Sequence, residues 1–180
     1  MESTREVRLE EVFARSMVSH PTLPLYLAGD NQGLVHLWQF GSAKALCHRH
    51  PPLLRTQGLT ACIKLRFGAF GHRFASAFND GTIALWSVKC GGSQVDLTAT
   101  ESRRFFGKSA SDVVYIMGEE RGTIVAAAGA TASQENVILW DTLLPQRVSK
   151  VGSLRGHEGG ASSLCPLSQS TLLSGGRDGA

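Results

Sequence analysis

Short apolar runs separated by polar turns recur along this chain, with the two-residue alternation of strands rather than the 3.6-residue period of helices. Four runs rich in small and apolar residues stand out: LPLYLAGD (23–30), GHRFASAF (71–78), TIVAAAGA (123–130) and STLLSGGR (170–177). Such runs suit strands packed on both faces. Further upstream lies another apolar run in three cases: LTACIKLRF (59–67), SDVVYIMG (111–118) and ASSLCPL (161–167). Three phrases then open on polar turn residues and run into an apolar segment ending in tryptophan: NQGLVHLWQF (31–40), NDGTIALWSV (79–88) and QENVILWDTL (134–143). A weaker fourth strand, such as QRVSKVGSL (146–154), completes the unit. Only VRLEEVFARS (7–16) has a pattern compatible with a helix. The predicted class is all-β.

Trp38, Trp86 and Trp140 mark a repeat of about 40 to 55 residues, the period of a β-propeller blade. Gln32, Asp80 and Gln134 each lie six residues before a tryptophan. The C-terminal GGRDGA supplies a fourth turn, with Asp178 at the matching place, so a fourth aromatic is expected beyond Ala180. Four-stranded blades of such short strands bury both faces only when neighbours stack on each side. The Asn-Asp-Gly turn at 79–81 suits a two-residue hairpin with positive φ. Tryptophan is expected to fill the gap between blades, with an indole N–H that needs a partner.

Composition adds exclusions. Of 180 residues, 42% are hydrophobic and 18% charged, and the net charge of +3 is too small to argue for nucleic acid or an anionic membrane. The 20 glycines favour many turns. Cys47, Cys62, Cys90 and Cys165 match no zinc or redox spacing and read as free thiols in a reducing compartment. The polar start MESTREVRLEEVF is unlike a signal peptide, and no apolar run approaches the roughly 18 residues of a membrane helix. These features predict a cytoplasmic protein with no integral membrane insertion.

Three groups imitate chemistry. Gly107-Lys108-Ser109 matches the tail of a phosphate-binding loop, but Ser102 stands where the first glycine is needed, so the expectation is a surface loop. Cys47, His48 and His50 are potential metal ligands without a second cluster, and Pro51-Pro52 marks the stretch as an exposed loop between blades. Arg103, Arg104 and Lys108, with Arg49 and Arg55, form a candidate basic rim, and Phe105 with Phe106 is too small a platform for single-stranded nucleic acid. No catalytic residue, metal site or cofactor is expected.

The phrases resemble WD40 repeats. LRGHEGGASSLCPLSQSTLLSGGRDG (154–179) carries the Gly-His pair, the central strand and the Asp-Gly turn, and Trp140-Asp141 is a literal Trp-Asp. The resemblance implies a buried chain of His, Ser or Thr, turn Asp and Trp in each blade. Mapped here, the second blade offers Ser76, Asp80 and Trp86, and the fourth His157, Ser174 and Asp178. The first has Ala28 and Gln32, and the third Ala130 and Gln134, at the corresponding places. That pattern also reads Ser174, His157 and Asp178 as structural rather than as a catalytic triad.

SHPTLPLYLAGDNQGLVHLWQFG (19–41), GKSASDVVYI (107–116), NVILWDTLLP (136–145), HEGGASSL (157–164) and QSTLLSGGRDG (169–179) are together similar to the C-terminal propeller of the DmX-like proteins, the rabconnectins. The likeness covers roughly 16–179 and is loose at QVDLTATESRRF (94–105). It implies a cytoplasmic scaffold, peripheral on endomembranes, that helps assemble and regulate the vacuolar proton-pumping ATPase. The fungal counterpart is the large subunit of the RAVE complex. Implied partners are proteins, namely the pump's cytosolic sector and RAVE-type subunits; the alternative is another WD40 adaptor, of a vesicle coat or a ubiquitin ligase.

The expected organisation is a lead-in at 1–15 and a partial propeller at 16–180, with blades at about 16–45, 58–92, 110–153 and 154–180. Loops at 41–58, 91–110 and 130–136 form the expected contact surface. About three and a half blades cannot close a ring, so pairable edges are expected at both ends.

Overall fold

The computed structural model describes residues 12–52, 60–91, 94–116, 123–145, 147–168 and 170–180. Every regular element among them is a strand. Blade 1 comprises β1 (Ala14–Ser19), β2 (Leu25–Asp30), β3 (Val35–Gln39) and β4 (Cys47–Arg49). Blade 2 comprises β5 (Cys62–Phe67), β6 (Arg73–Phe78), β7 (Thr82–Gly91) and β8 (Gln94–Arg104). Blade 3 comprises β9 (Ala110–Ile116), β10 (Ile124–Gly129), β11 (Val137–Asp141) and β12 (Lys150–Leu154), and β13 (Ala161–Pro166) with β14 (Leu172–Gly176) begins blade 4.

Each sheet is an antiparallel meander in chain order. The first strands form the common inner row: β1 touches β5, β5 touches β9 and β9 touches β13. Alanine-rich β6 and β10 are buried on both faces, because a sheet covers each side. Between blades 1 and 2, Leu25, Leu27, Val35 and Leu37 meet Phe74, Phe78 and Trp86. Between blades 2 and 3, Ala75, Ile83 and Leu85 meet Val113, Val125 and Trp140. Val114, Ala126 and Val137 then meet Ala161 and Leu164 of blade 4. Each buried tryptophan therefore points towards the preceding sheet. Trp38 points the same way and has no described sheet before it; half-buried, it stacks on Tyr26 with centroids 6.1 Å apart.

The strands differ from expectation in three places. Ala14–Ser16, part of the stretch with a helix-compatible pattern, opens β1; residues 7–11 lie outside the described residues. Pairing with β2, and a Ser16 hydroxyl that donates to the Cys62 carbonyl at 2.9 Å, outweigh the local pattern. Cys47–Arg49, expected in a loop, is β4 and pairs with Val35–Leu37, ending just before prolines that have no N–H to donate. The 91–110 stretch, expected as a loop, holds β8, which pairs with the whole length of β7. Leu97 turns into the core while its neighbours Asp96 and Thr98 face out, an alternation already visible in VDLTAT. The sheets consequently run to Arg49 and Arg104, past the expected blade limits at 45 and 92.

The Asn79–Gly81 turn is not the expected two-residue hairpin. The Gly81 N–H donates to the Phe78 carbonyl at 3.1 Å, and of the turn residues only Gly81 has positive φ, +89°. This is a type I turn closed by a left-handed glycine. A Cβ at Gly81 would collide with the Phe106 carbonyl. Gly33 repeats the arrangement after Asp30, with φ of 82°. In blade 3 the left-handed place is filled by Gln134, the sole non-glycine with positive φ among the described residues. Gln134 thus aligns with Gly33 and Gly81, not with Gln32 and Asp80, because the β10–β11 loop is longer.

Candidate functional site

The residues singled out in blade 2 fall into two separate devices. Phe74 pairs with Trp86 and Ser76 with Ala84, so Ser76 lies diagonally across from the indole on the same face. The Trp86 Nε1–H donates to Ser76 Oγ at 2.8 Å, and both residues are buried. Phe74 stacks on the indole with centroids 5.4 Å apart and planes 7° from parallel. Asp80 touches neither; its Oδ1 accepts the Thr82 N–H at 2.9 Å and holds the turn.

In blade 4, His157, Ser174 and Asp178 come together. His157 Nδ1 lies 3.1 Å from Asp178 Oδ1, and Nε2 lies 2.9 Å from Ser174 Oγ. Opposite an ionised carboxylate, Nδ1 carries the proton and Nε2 accepts from the hydroxyl. Asp178 also accepts the Glu158 N–H at 2.8 Å and the Ala180 N–H at 3.3 Å. The Glu158 N–H is the main cause that holds the Asp178 carboxyl below its ordinary range. The three side chains are connected as in a hydrolase triad, within a single blade. Gly176 lies so close that a Cβ there would collide with the His157 ring, so no substrate can enter from that side.

Blade 3 departs from both. Trp140 is fully buried and its Nε1–H has no acceptor among the described residues. The register pairs Ile138 with Ala127, so Ala127, rather than Ala130, occupies the place of Ser76 and offers no hydroxyl. The indole is instead covered by Arg103, whose guanidinium sits 5.6 Å from the ring, and by the edge of Phe105 at 5.1 Å. Arg103 also reaches Ser149 Oγ at 2.9 Å and Glu101 at 3.1 Å. Asp141 is a turn residue: its Oδ1 accepts the Leu143 N–H at 3.0 Å.

Several positioning residues escaped the sequence reading. Asn31 and Asn79 each clamp their turn to the start of the inner strand. Asn31 Oδ1 accepts the Phe13 N–H at 3.0 Å and Asn79 Oδ1 accepts the Ala61 N–H at 2.9 Å; each backbone returns a bond to the same residue. The recurrence of Asn immediately before Gln32 and Asp80 was the available signal. Asp30, buried, accepts from the Gln32 and Leu34 N–H groups and pairs with His36 Nε2, each at 2.8 Å. Asp112, also buried, accepts the Leu164 N–H from blade 4 at 3.0 Å. His20 Nδ1 accepts two N–H groups, from Thr22 and Leu23, and the ring bonds to the Gly71 backbone of blade 2. Burial lowers its pKa, and a Cβ at Gly71 would strike the ring.

The chemical look-alikes resolve as structure. Gly107–Ser109 joins two strands, β8 and β9, without the helix a phosphate loop requires, and Ser109 Oγ bonds to the next carbonyl at 3.0 Å. Among the described residues no group of three or more His, Cys, Asp or Glu is arranged to hold a metal ion. All four cysteines are free, and burial pushes the Cys62 thiol up to about 12.

Residues 148–180 match the family model described as WD domain, G-beta repeat. Solved propellers superpose on the chain. The Myceliophteria thermophila Cps50 (Swd1) β-propeller domain has a TM-score of 0.70 and 16% identity over 93% of this chain and 49% of that one. The WD40 repeats of RRP9 have a TM-score of 0.69 and 15% identity over 94% of this chain and 46% of that one. The chain is a partial WD40 β-propeller. Among curated proteins this WD40 chain is similar to DmX-like protein 1, 30% identical in Mus musculus and 31% in Homo sapiens over 173 residues, 92% of the chain. It spans about 5% of the length of those relatives. No helix among its described residues is long and apolar enough to cross a membrane.

Proposed function

We propose that this WD40 chain is a non-enzymatic, rabconnectin-like scaffold that regulates assembly of the vacuolar proton ATPase, acting in the cytoplasm and peripherally on endomembranes. The observation that carries the reading is the similarity to DmX-like protein 1 along 92% of the chain, across every blade rather than in the repeat signature alone. The proposed partners are the cytosolic sector of the pump and RAVE-type subunits. Ser76, Asp80, Trp86, Trp140, Asp141, His157, Ser174 and Asp178, with Trp38, serve in this reading as blade-building residues. The proposed contact surface takes in the exposed parts of 41–58, 91–110 and 130–136; residues 53–59 and 92–93 of these lie outside the described residues. The test is affinity purification of the full-length protein with quantification of pump subunits. Enrichment of the cytosolic sector is expected; recovery of coat or ubiquitin-ligase subunits without it would transfer the chain to a different adaptor.

A further inference from the structure

The two ends of the blades differ in chemistry. In each meander the first–second and third–fourth strand turns share one end, and the second–third turns lie at the other. Large exposed apolar side chains gather in turns at the first end: Leu23, Phe40, Leu46, Phe70, Leu143 and Leu167 are all 41% or more exposed. At the opposite end Val12 and Phe13, just before β1, and Leu154, which closes β12, are comparable among the described residues. Its turns are Asn31–Leu34, Asn79–Gly81 and the polar loop through Ser133 to Glu135.

Charge follows the same division. The described turns of the apolar end carry exposed Lys44 and Arg147, and Lys89 stands exposed near the end of β7. They contain no Asp or Glu. Among the described residues the nearest carboxylates are engaged: Asp96 with Arg49 at 2.9 Å, and Asp141 with the Leu143 N–H. An open groove of about 890 Å³ lies at this end between blades 1 and 2, floored by Leu25 and Val95 and walled by Leu23, Pro24 and Leu46. Its volume suits an extended peptide with one or two large side chains. Arg49 of β4 and Asp96 of β8, paired with each other, also line the groove.

We propose that this groove binds a partner's extended peptide that places an aromatic or large aliphatic side chain between Leu23 and Leu46 and carries carboxylates towards Lys44 and Lys89. The proposal rests on the scaffold reading and names the partner's chemistry. An apolar anchor supplies the affinity by desolvation, and the surrounding cations select acidic flanks. Neither apolar side chain supports the core, so the site is separable from folding.

The probe is a random peptide library displayed on phage and panned on the intact chain, with counter-selection on Leu46→Asp. The expected enrichment is a Phe, Leu or Ile flanked by Asp or Glu. Affinity of a selected peptide, read by fluorescence anisotropy, is expected to fall about tenfold on Leu46→Asp and about threefold on Lys44→Glu. Gln32→Ala, at the opposite end, is expected to leave it unchanged. Unaltered thermal melting of each variant excludes misfolding. No enrichment over the counter-selected variant, enrichment of basic peptides, or sensitivity to Gln32→Ala instead of Leu46→Asp would overturn the proposal. Peptide binding without the pump's cytosolic sector in the affinity purification leaves the groove standing and removes the pump assignment; the reverse outcome removes the groove alone.

Discussion

Blades 2 and 3 solve one packing problem with different chemistry. Both drive an indole into the preceding sheet from the same register position. Blade 2 answers the indole N–H with Ser76 and closes its turn with Asn79, Asp80 and Gly81. Blade 3 has Ala127 diagonally across from the indole and leaves the N–H without an acceptor among the described residues. It places Gln134 where glycine costs least. Its longer loop is tied from outside, where Glu135 accepts from Lys150 Nζ at 2.9 Å and Ser153 Oγ at 3.0 Å. The Lys150 bond is the first cause that draws the Glu135 carboxyl down to about 2. The repeat therefore preserves shape more strictly than hydrogen bonding. The indole's buried area and the register are common to both blades, while the polar links vary because each is worth only about 1 kcal/mol.

Trp86→Ala sharpens this comparison most. It empties a site packed on Phe74 and strands the Ser76 hydroxyl, and is expected to cost about 3–5 kcal/mol in urea unfolding of the chain. A loss under about 1 kcal/mol would mean that the tryptophans do not hold the blades together. Next come two reciprocal exchanges. Ser76→Ala leaves a buried N–H unpaired and is expected to lower stability by about 1–3 kcal/mol, whereas Ala127→Ser gives Trp140 an acceptor and is expected to raise it by about 1 kcal/mol. Opposite signs would tie both effects to an indole–hydroxyl bond; two losses would show that blade 3 has no room for the hydroxyl. The smallest effect is Gln134→Gly, expected to gain about 0.5–1 kcal/mol by relieving left-handed strain, part of which the freer unfolded chain takes back. A loss on this substitution would indicate that the Gln134 side chain holds the loop.

Strand positions were legible because the period-two runs of β2, β6, β10 and β14 are short, apolar and bounded by Gly, Asn and Asp. β8 was harder to read: VDLTAT alternates, but its charged C-terminal half, ESRR, resembles a loop until β7 is alongside. The third turn misled for a related reason. Counting back from Trp140 to Gln134 assumes equal loops, and the blade 3 loop is longer, so the same offset reaches a different place in the turn. The Ser76–Trp86 and His157–Ser174–Asp178 groups stood in the sequence as candidates, while the reciprocal Asn clamps and the His20–Gly71 bond join residues distant in the chain and carried only a faint local signal.

Local sequence alone determined that this chain makes short strands, that they come in a repeating unit, and that an indole caps most units, since alternation and turn chemistry act over a few residues. Tertiary structure decided which indole N–H is satisfied, where the outer strands run, and at which end of the blades the exposed apolar side chains gather. Those outcomes depend on register, loop length and the stacking of one sheet on the next, and no short stretch of residues contains them.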